Sequence, residues 1–317
     1  MKGGYNEVSQ ERIDEVRDCL KRHDYDIAAA AAELGKAYCT VERYDREIRR
    51  RNKEETLAQR KKILLFDIET APMRAFAWSM WKNNIGKGQL ISDWFMLCYA
   101  AKWLGGDDVY LASQRNDPDY YPGTEDDHSV CLTLHALLDE ADIVVAHNGA
   151  KFDVKKANAR FLKHGLQPPS PYKILDTLTI AKRHFKISSN RLDFIGKFLG
   201  VGQKMEHQGF ELWSGCLAGD QDCWSTMESY NVQDVLLLEQ VYEKLAPWDN
   251  RHPTVNTDHS VSRCTVCGSK ELEADGEVYT AVSTFTAYQC RDCGHWVRNG
   301  SNKKNKEEMS VTMRNAL

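Results

Sequence analysis

The sequence predicts an α/β protein whose central part is a mixed β-sheet flanked by helices. Three strand-like segments open this part, and short apolar strands then alternate with amphipathic helices. A helical segment precedes the sheet, and a segment with two closely spaced cysteine pairs follows it. The expected organisation has three modules, two linkers and a flexible polar tail: residues 1–52, 53–61 (linker), 62–248, 249–260 (linker), 261–300 and 301–317 (tail).

Composition excludes several classes of protein. The 317 residues are 42% hydrophobic and 28% charged, which is typical of a globular protein and argues against a disordered or fibrous one. No apolar run is long enough to span a membrane, and the N-terminus lacks the apolar segment of a secretory signal, so we expect a cytoplasmic protein. The net charge of −4 does not indicate nucleic acid, so any basic binding surface must be local.

The N-terminal module reads as three helices. Asp26 is placed to cap an alanine-rich second helix that ends at Gly35, and a third helix with many arginines begins near Thr40. The string Ala-Ala-Ala-Glu-Leu-Gly, followed by Thr-Val-Glu-Arg-Tyr, resembles the second and third helices of a helix-turn-helix. Acidic residues interleave with the arginines and could pair with them along the helix. Contact with double-stranded DNA, docking of a protein and a purely structural role all stay open.

The central module opens with the strand 63–70, in which Asp67 and Glu69 follow an apolar run. Residues two apart on a strand point to the same face, so both carboxylates project together from a segment that is otherwise suited to burial. A divalent metal ion is the natural counter-charge. The alternative is a solvated strand end before a turn at Pro72.

An aromatic-rich region comes next and is expected to form two further strands. Aromatic side chains can stack on nucleic-acid bases, but those on half-buried strands usually belong to the core. We therefore expect core positions for these residues: Trp78, Trp81, Trp94, Phe95, Tyr99 and Trp103.

Shorter elements complete the predicted sheet and its helices. Their expected bounds are a helix at 129–138, a strand at 143–146, a basic helix at 154–164, a strand at 173–175 and a helix at 178–184. Asp176 precedes the last of these helices. We expect Asp176 to be its N-cap rather than a further acid of the site.

Two more acidic motifs follow the first. Asp153 lies at a helix start five residues after Asn148, and Tyr230 and Asp234 are four apart in a helix. Residues i and i+4 share one helix face, so the side chains of Tyr230 and Asp234 project together from a face whose other residues are apolar. Each motif alone has a structural alternative, because Asn148 could end a strand and Asp234 could be a surface acid.

Taken together, the motifs resemble the three exonuclease motifs of the DEDD superfamily, which includes the proofreading domains of DNA polymerases. The matching residues are Asp67-Ile68-Glu69-Thr70, Asn148 with Phe152-Asp153, and Tyr230 with Asp234. Because a tyrosine precedes the last acid, the sequence resembles the tyrosine subclass of this superfamily. The five-residue step from Asn148 to Asp153 resembles the B-family polymerase domains and stand-alone exonucleases of bacteria and phages. The resemblance covers roughly residues 62–248 and implies a ribonuclease-H-like fold.

This resemblance implies a 3′→5′ exonuclease that releases nucleoside 5′-monophosphates and uses two Mg²⁺ or Mn²⁺ ions. The implied metal ligands are Asp67, Glu69, Asp153 and Asp234; hard oxygen ligands suit these ions. Tyr230 would orient the attacking water. The expected substrate contacts are Thr70, Asn148 and Phe152.

We expect single-stranded DNA as substrate, in replication, repair or recombination, in a bacterial or phage-infected cell. Two alternatives stay open: a 3′→5′ exoribonuclease, because none of the motifs reads the 2′-hydroxyl, and a non-catalytic adaptor that binds nucleic acid. The intact set of four acids argues against the adaptor.

The C-terminal module carries two Cys-x-x-Cys motifs, Cys264 with Cys267 and Cys290 with Cys293. Between them the sequence alternates as strands do. Two such motifs bridged by a hairpin resemble a zinc ribbon with one structural Zn²⁺ held by four thiolates. His295, just after the last cysteine, is expected to be a bystander rather than a ligand. The ribbon could bind nucleic acid or an unidentified protein partner.

Overall fold

The computed structural model describes residues 9–81 and 83–314, so residues 1–8 of the predicted N-terminal module and 315–317 of the predicted tail lie outside it. The N-terminal module contains the helices α1 (Gln10–Arg22), α2 (Ile27–Glu33) and α3 (Tyr38–Ala58). Their apolar faces enclose a small core that includes Ile13, Val16 and Val41. Asp26 caps α2 as predicted, because its carboxylate accepts the N–H groups of the first turn.

Helix α3 continues to Ala58 and therefore includes most of the predicted 53–61 linker. Its sequence contains no glycine or proline that would end it earlier. The arginines of α3 pair along the helix: Arg49 with Asp45 at 2.8 Å, and Arg50 and Arg51 with Glu47 at 2.7 and 2.8 Å. These pairs neutralise much of the positive charge that a DNA-binding helix would present.

The described residues of the central module form seven strands. They are β1 (Ile63–Thr70), β2 (Arg74–Ala75), β3 (Leu90–Ser92), β4 (Met96–Trp103), β5 (Val109–Ser113), β6 (Ile143–Ala146) and β7 (Lys173–Asp176). Five of them form one mixed sheet in the order β5-β4-β1-β6-β7. Strands β5, β4 and β1 pair antiparallel, whereas β1, β6 and β7 pair parallel. The predicted mixed sheet is thereby confirmed, with β1 at its centre.

The helices that accompany the sheet are α4 (His128–Glu140), α5 (Asp153–Lys163), α6 (Thr177–His184), α7 (Leu192–Leu199), α8 (Phe210–Ala218) and α9 (Gln221–Leu245). Residues of β1 alternate between its two faces. Leu64 and Phe66 join the core with α4 and α5, while Ile63 and Leu65 join the core with α6, α7 and α9. The same alternation puts Asp67 on the α9 side. In the described residues no helix combines the length and apolar character needed to cross a membrane.

The aromatic-rich region differs from the prediction. Phe95 and Tyr99 are buried at and beside β4, as expected, and Trp103 is half-buried at its end. Trp78 and Trp81, however, are 96% and 79% exposed, so their predicted core positions are wrong. They lie on a small hairpin built on β2 and β3, which pair only with each other and stand outside the five-stranded sheet. A two-stranded hairpin has no second layer against which to bury tryptophan.

The C-terminal module is a three-stranded antiparallel sheet of β8 (Leu272–Tyr279), β9 (Thr284–Cys290) and β10 (Trp296–Arg298). Within the predicted flexible tail, residues Lys306–Val311 form a helix, α10, whose first turn is capped by the Asn305 side chain. The tail is therefore partly helical, because a capping box satisfies the first N–H groups of this segment.

Contacts link the ribbon and its preceding segment to the other modules. Lys61 donates its N–H to the carbonyl of Val255, a buried residue of the predicted 249–260 linker, at 2.7 Å. Tyr25 donates its hydroxyl to Glu271 at 2.8 Å, and Arg263 lies 3.1 Å from Glu55 of α3. The N-terminal module thus contacts the C-terminal module, which favours the structural alternative for its helices.

Candidate active site

Three of the predicted acids come together between β1 and α9. Carboxylate oxygens of Asp67, Glu69 and Asp234 all lie within 4.8 Å of one another. Asp67 and Glu69 share a face of β1 through the two-residue period of the strand, and α9 packs across that face. Asp234 is only 1% exposed. Asp67 and Glu69 are half-buried, so three carboxyl groups lie close together where access of water is limited.

Helix α9 supplies a further side chain to this cluster. Asn231, which is fully buried, donates its Nδ2 to the Asp67 Oδ2 at 2.8 Å. This bond fixes the orientation of the Asp67 carboxylate. Sequence reasoning missed Asn231, because a single asparagine beside Tyr230 has no characteristic spacing.

Asp153 lies beside the cluster but is not one of the three mutually close acids. It is the first residue of α5 and is 3% exposed. Its Oδ1 accepts the N–H of Ile68, the residue between Asp67 and Glu69, at 3.4 Å. Asp153 therefore approaches β1 from the side of α5, opposite to α9.

The turn before α5 explains how Asp153 reaches this position. Asn148 has a φ of +66°, a left-handed conformation that asparagine tolerates better than most residues. Its N–H is donated to the Asp176 Oδ1 at 2.9 Å, and the same oxygen caps α6 as predicted. At Gly149 a Cβ atom would lie 2.3 Å from the Cβ of Ala146, so only glycine fits this close turn.

Lys204 is the cation that faces the acids. Its Nζ lies 2.5 Å from the Asp234 Oδ2 and 2.9 Å from the Tyr230 hydroxyl. Its loop, between α7 and α8, has no periodic pattern, so the sequence analysis did not single it out. The His207 ring, from the same loop, packs edge-on against Tyr230 with the ring centroids 4.9 Å apart.

Burial sets the protonation of the acids. Removal from water raises the pKa of Glu69 to about 8 and that of Asp153 to about 6. Burial, followed by repulsion from Asp153 and Glu69, raises the pKa of Asp67 well above its ordinary value. The pKa of Asp234 is also raised by burial, although Lys204 opposes that shift. Without an added cation, the cluster resists full ionisation.

The donor set fits a hard divalent ion. Among the described residues, the Asp234 Oδ1 is buried and has no hydrogen-bond partner. An unpaired buried carboxylate oxygen is costly, and a metal ion would satisfy it. The cluster offers only oxygen ligands, which suit Mg²⁺ or Mn²⁺ better than Zn²⁺.

The predicted substrate contacts border the acids on the α5 side. Lys156 donates its Nζ to the Thr70 Oγ1 at 2.8 Å, and the same ammonium lies 4.6 Å from the Phe152 ring centroid and 4.4 Å from that of Trp94. Phe152 is 40% exposed. Thr70, Phe152, Trp94 and Lys156 thus form a surface with aromatic and cationic character.

A second predicted contact, Asn148, opens onto a cavity of about 760 Å³. Tyr230 and Lys204 line it as well. Its wall also carries Lys182, Arg191 and Lys197 and the acids Asp193 and Glu206, and Lys197 lies 3.1 Å from Asp193. The basic side chains outnumber these acids, which suits a polyanion such as a nucleic-acid backbone.

The four cysteines of the C-terminal module also converge. Their Sγ atoms all lie within 4.8 Å of one another, and the Cys264–Cys293 and Cys267–Cys290 pairs are each 3.6 Å apart. Four thiolates at 2.3 Å from a tetrahedral zinc ion have neighbouring sulfurs about 3.8 Å apart. The group is therefore compatible with Zn²⁺. His295 donates its Nδ1–H to the Pro247 carbonyl at 2.7 Å and is not part of the four-sulfur group.

Comparisons with known proteins place the central module among ribonuclease-H-like folds. A family model described as the RNase_H superfamily matches residues 110–246, a range that includes Asp153, Tyr230 and Asp234. Together with the five-stranded mixed sheet and its flanking helices, this match confirms the predicted fold class. The class of protein that this fold suggests is a nuclease.

A solved structure to which the chain is similar is the family B DNA polymerase from the hyperthermophilic archaeon Pyrobaculum calidifontis. The two are 18% identical with a TM-score of 0.46, and the similarity covers 59% of this chain and 25% of the polymerase. The chain thus corresponds to about a quarter of that protein. The comparison with curated proteins gives no match.

Proposed function

We propose that the protein is a metal-dependent 3′→5′ exonuclease of the tyrosine subclass, which releases nucleoside 5′-monophosphates from single-stranded DNA. The observation that carries the proposal is the convergence of Asp67, Glu69 and Asp234, with Tyr230 one helical turn from Asp234. The superfamily match and the resemblance of the three motifs support the same reaction.

Asp67, Glu69, Asp153 and Asp234 are the residues that would hold two Mg²⁺ or Mn²⁺ ions, which activate water and stabilise the attacking and leaving oxygens of a phosphodiester. Asn231 orients one of these ligands, because its amide holds the Asp67 carboxylate in one orientation. The Ile68 N–H does the same for Asp153 from the other side.

Tyr230 acts by orientation rather than as a base. Burial raises its pKa to about 12, so the phenol keeps its proton at neutral pH. Its hydroxyl can hold an attacking water or a phosphoryl oxygen by a hydrogen bond, while the His207 ring makes a T-shaped contact with the Tyr230 ring. Lys204 stays charged beside it, since Asp234 and Tyr230 raise the lysine pKa against the effect of burial.

The 3′-terminal nucleotide is proposed to bind between this cluster and the surface of Thr70 and Phe152. The exposed Phe152 ring can pack against its base, and Lys156 offers a positive charge to a phosphate. On the other side, the basic cavity that Asn148 lines would receive the adjoining backbone.

We further propose that Cys264, Cys267, Cys290 and Cys293 bind one structural Zn²⁺. Four thiolates close the coordination shell, so this ion would stabilise the fold of a module too small to bury a core of its own. The free energy of such binding is on the order of 10 kcal/mol.

The deciding experiment is an assay on end-labelled single-stranded DNA and RNA of matched sequence, with Mg²⁺, with Mn²⁺ and with EDTA. We expect 3′-labelled DNA to release labelled mononucleotide at once, 5′-labelled DNA to give a ladder that shortens with time, and EDTA to stop both. Faster digestion of the RNA would make the enzyme an exoribonuclease. Absence of mononucleotide from every substrate with either metal would leave a non-catalytic nucleic-acid-binding adaptor.

A further inference from the structure

The small hairpin built on β2 and β3, residues 71–93, carries a group of exposed apolar side chains that the proposed chemistry does not use. The largest exposures are those of Trp78, Trp81, Phe76 and Met80, at 96%, 79%, 71% and 86%. The others are Met73, Ile85, Leu90 and Ile91. Single exposed apolar residues are common on proteins, but a contiguous segment of this kind marks an interaction surface.

The hairpin has a defined backbone. Phe76 donates its N–H to the Gln89 carbonyl at 2.8 Å, and the Gln89 side chain donates to the Phe76 carbonyl at 3.0 Å. Nearer the base, Arg74 donates its Nε to the Ser92 Oγ at 2.8 Å. The exposed aromatics therefore project from a built element.

Both ends of the hairpin lie at the candidate active site. It leaves the sheet directly after Thr70 and returns at Trp94, and Lys156 contacts both of these residues. The Ala71 N–H and the Phe95 carbonyl close its base at 2.9 Å. Trp78 is eight residues beyond Thr70 in the chain, so it lies within about 30 Å of Thr70.

The charge of the segment identifies the kind of partner. Residues 71–93 contain three basic residues, Arg74, Lys82 and Lys87, and one acid, Asp93, whereas the chain as a whole has more acidic than basic residues. Arg74 is paired with Glu125, whereas Lys87 is exposed. Exposed aromatic rings combined with a net positive charge suit a single-stranded nucleic acid, whose bases stack and whose backbone is anionic.

We propose that Trp78 and Trp81, with Phe76, stack on unpaired bases of the same strand whose 3′ end enters the carboxylate cluster. This inference rests on the proposed function for the direction of the strand, but the surface itself can be tested without catalysis. The hairpin would hold the substrate upstream of the bond that is cut, so it would add affinity for long strands only.

The test measures equilibrium binding of a fluorescent 20-nucleotide oligothymidine in EDTA. We expect the double variant Trp78→Ala/Trp81→Ala to bind at least about tenfold more weakly and Trp78→Phe/Trp81→Phe to recover most of the loss, because stacking needs a ring. Met80→Ala, an exposed aliphatic change on the same hairpin, should stay within twofold. Zinc content and thermal unfolding of each variant show that it is folded.

Three results overturn the proposal. One is unchanged affinity in the double alanine variant. Another is a loss in Met80→Ala as large as that of the tryptophans, which would indicate an apolar docking site for a protein. The third is a wild-type dimer, detected by sedimentation, that the tryptophan changes dissociate without weakening binding to DNA.

A cleavage measurement separates this inference from the proposed function. With Mg²⁺, the double alanine variant should hydrolyse a thymidine dinucleotide at the wild-type rate and show a raised KM for the 20-nucleotide strand. If the wild type cleaves neither substrate, the exonuclease proposal fails, and the binding measurement in EDTA still decides the role of the hairpin.

Discussion

The ammonium of Lys204 lies 2.5 Å from the carboxylate of Asp234, one of the three acids that converge between β1 and α9. The Asp234 side chain is 2% exposed, whereas that of Lys204 is 32% exposed. A buried carboxylate therefore depends on a cation that reaches it from a partly exposed loop. This asymmetry makes the cluster sensitive to changes of charge in the metal-free protein.

Lys204→Met should destabilise the metal-free protein by about 1–3 kcal/mol at pH 8, because it leaves buried acids without their nearest positive charge. Urea unfolding in EDTA measures the change. Lys182→Met removes an exposed lysine from the wall of the same cavity and should change stability by less than about 0.5 kcal/mol. Equal effects of the two variants would show that the Lys204–Asp234 contact contributes nothing specific.

Stability of the metal-free protein should fall as pH rises. The pKa of Glu69 is about 8 in the folded protein and about 4.3 when unfolded, so the folded state binds this proton more tightly. The stability that the Glu69 proton contributes is complete below about pH 4 and disappears as pH passes about 8. The proton on Asp153 contributes in the same way, and its contribution disappears as pH passes about 6.

Urea unfolding in EDTA from pH 5 to 9 measures this dependence. Glu69→Gln should flatten the profile and stabilise the protein at pH 9 by about 2 kcal/mol, whereas the exposed control Glu307→Gln should follow the wild type. A wild-type profile that is flat or rises over this range would contradict the assigned burial of Glu69.

Asp67→Ala should reduce metal-dependent hydrolysis by at least about a thousandfold, because the central ligand of the proposed site is lost. Binding of single-stranded DNA in EDTA should be largely retained. Asp275→Ala, which removes an exposed carboxylate from β8, is the matched control and should keep full activity. A fully active Asp67→Ala enzyme would remove the basis of the assignment.

Tyr230→Phe should lower kcat by about 10- to 100-fold without abolishing the reaction, since the ring and its packing against His207 remain while the hydroxyl is lost. Single-turnover measurements with excess enzyme report the chemical step directly. Because the phenol has a pKa of about 12, the pH profile of the variant should keep the wild-type shape below pH 9. An unchanged rate would make the hydroxyl a bystander.

Purified protein should contain one zinc ion per chain by elemental analysis. Cys264→Ser should lose the metal and unfold the ribbon, because the fourth thiolate cannot be replaced without cost. Cys39→Ser changes an exposed cysteine outside the group and should keep the zinc and the fold. Zinc-free wild-type protein with an intact ribbon would refute the structural role.

Local features of the site could be predicted because backbone geometry alone controls them. The two-residue period of β1 puts Asp67 and Glu69 on one face, and the i, i+4 spacing in α9 does the same for Tyr230 and Asp234. The cap of α6 by Asp176 was predicted for the same reason, since capping involves neighbours in sequence. The alternation of strands and helices was sufficient to predict the mixed sheet.

The environment of these residues could not be predicted without the folded structure. Asn231 reaches Asp67 and Lys204 reaches Asp234 only because α9 packs on β1 and a loop without periodicity folds over their junction. Trp78 and Trp81 are of a residue type common in protein cores but project into solvent, since β2 and β3 of their hairpin pair only with each other in the described structure.

The sequence by itself thus determined the types of the elements and the direction in which neighbouring side chains point, because both follow from repeats of a few residues along the backbone. Tertiary structure decided which acids meet, which cation faces them and which aromatic rings stay exposed. Those outcomes depend on packing between segments far apart in the chain, and no local repeat encodes that packing.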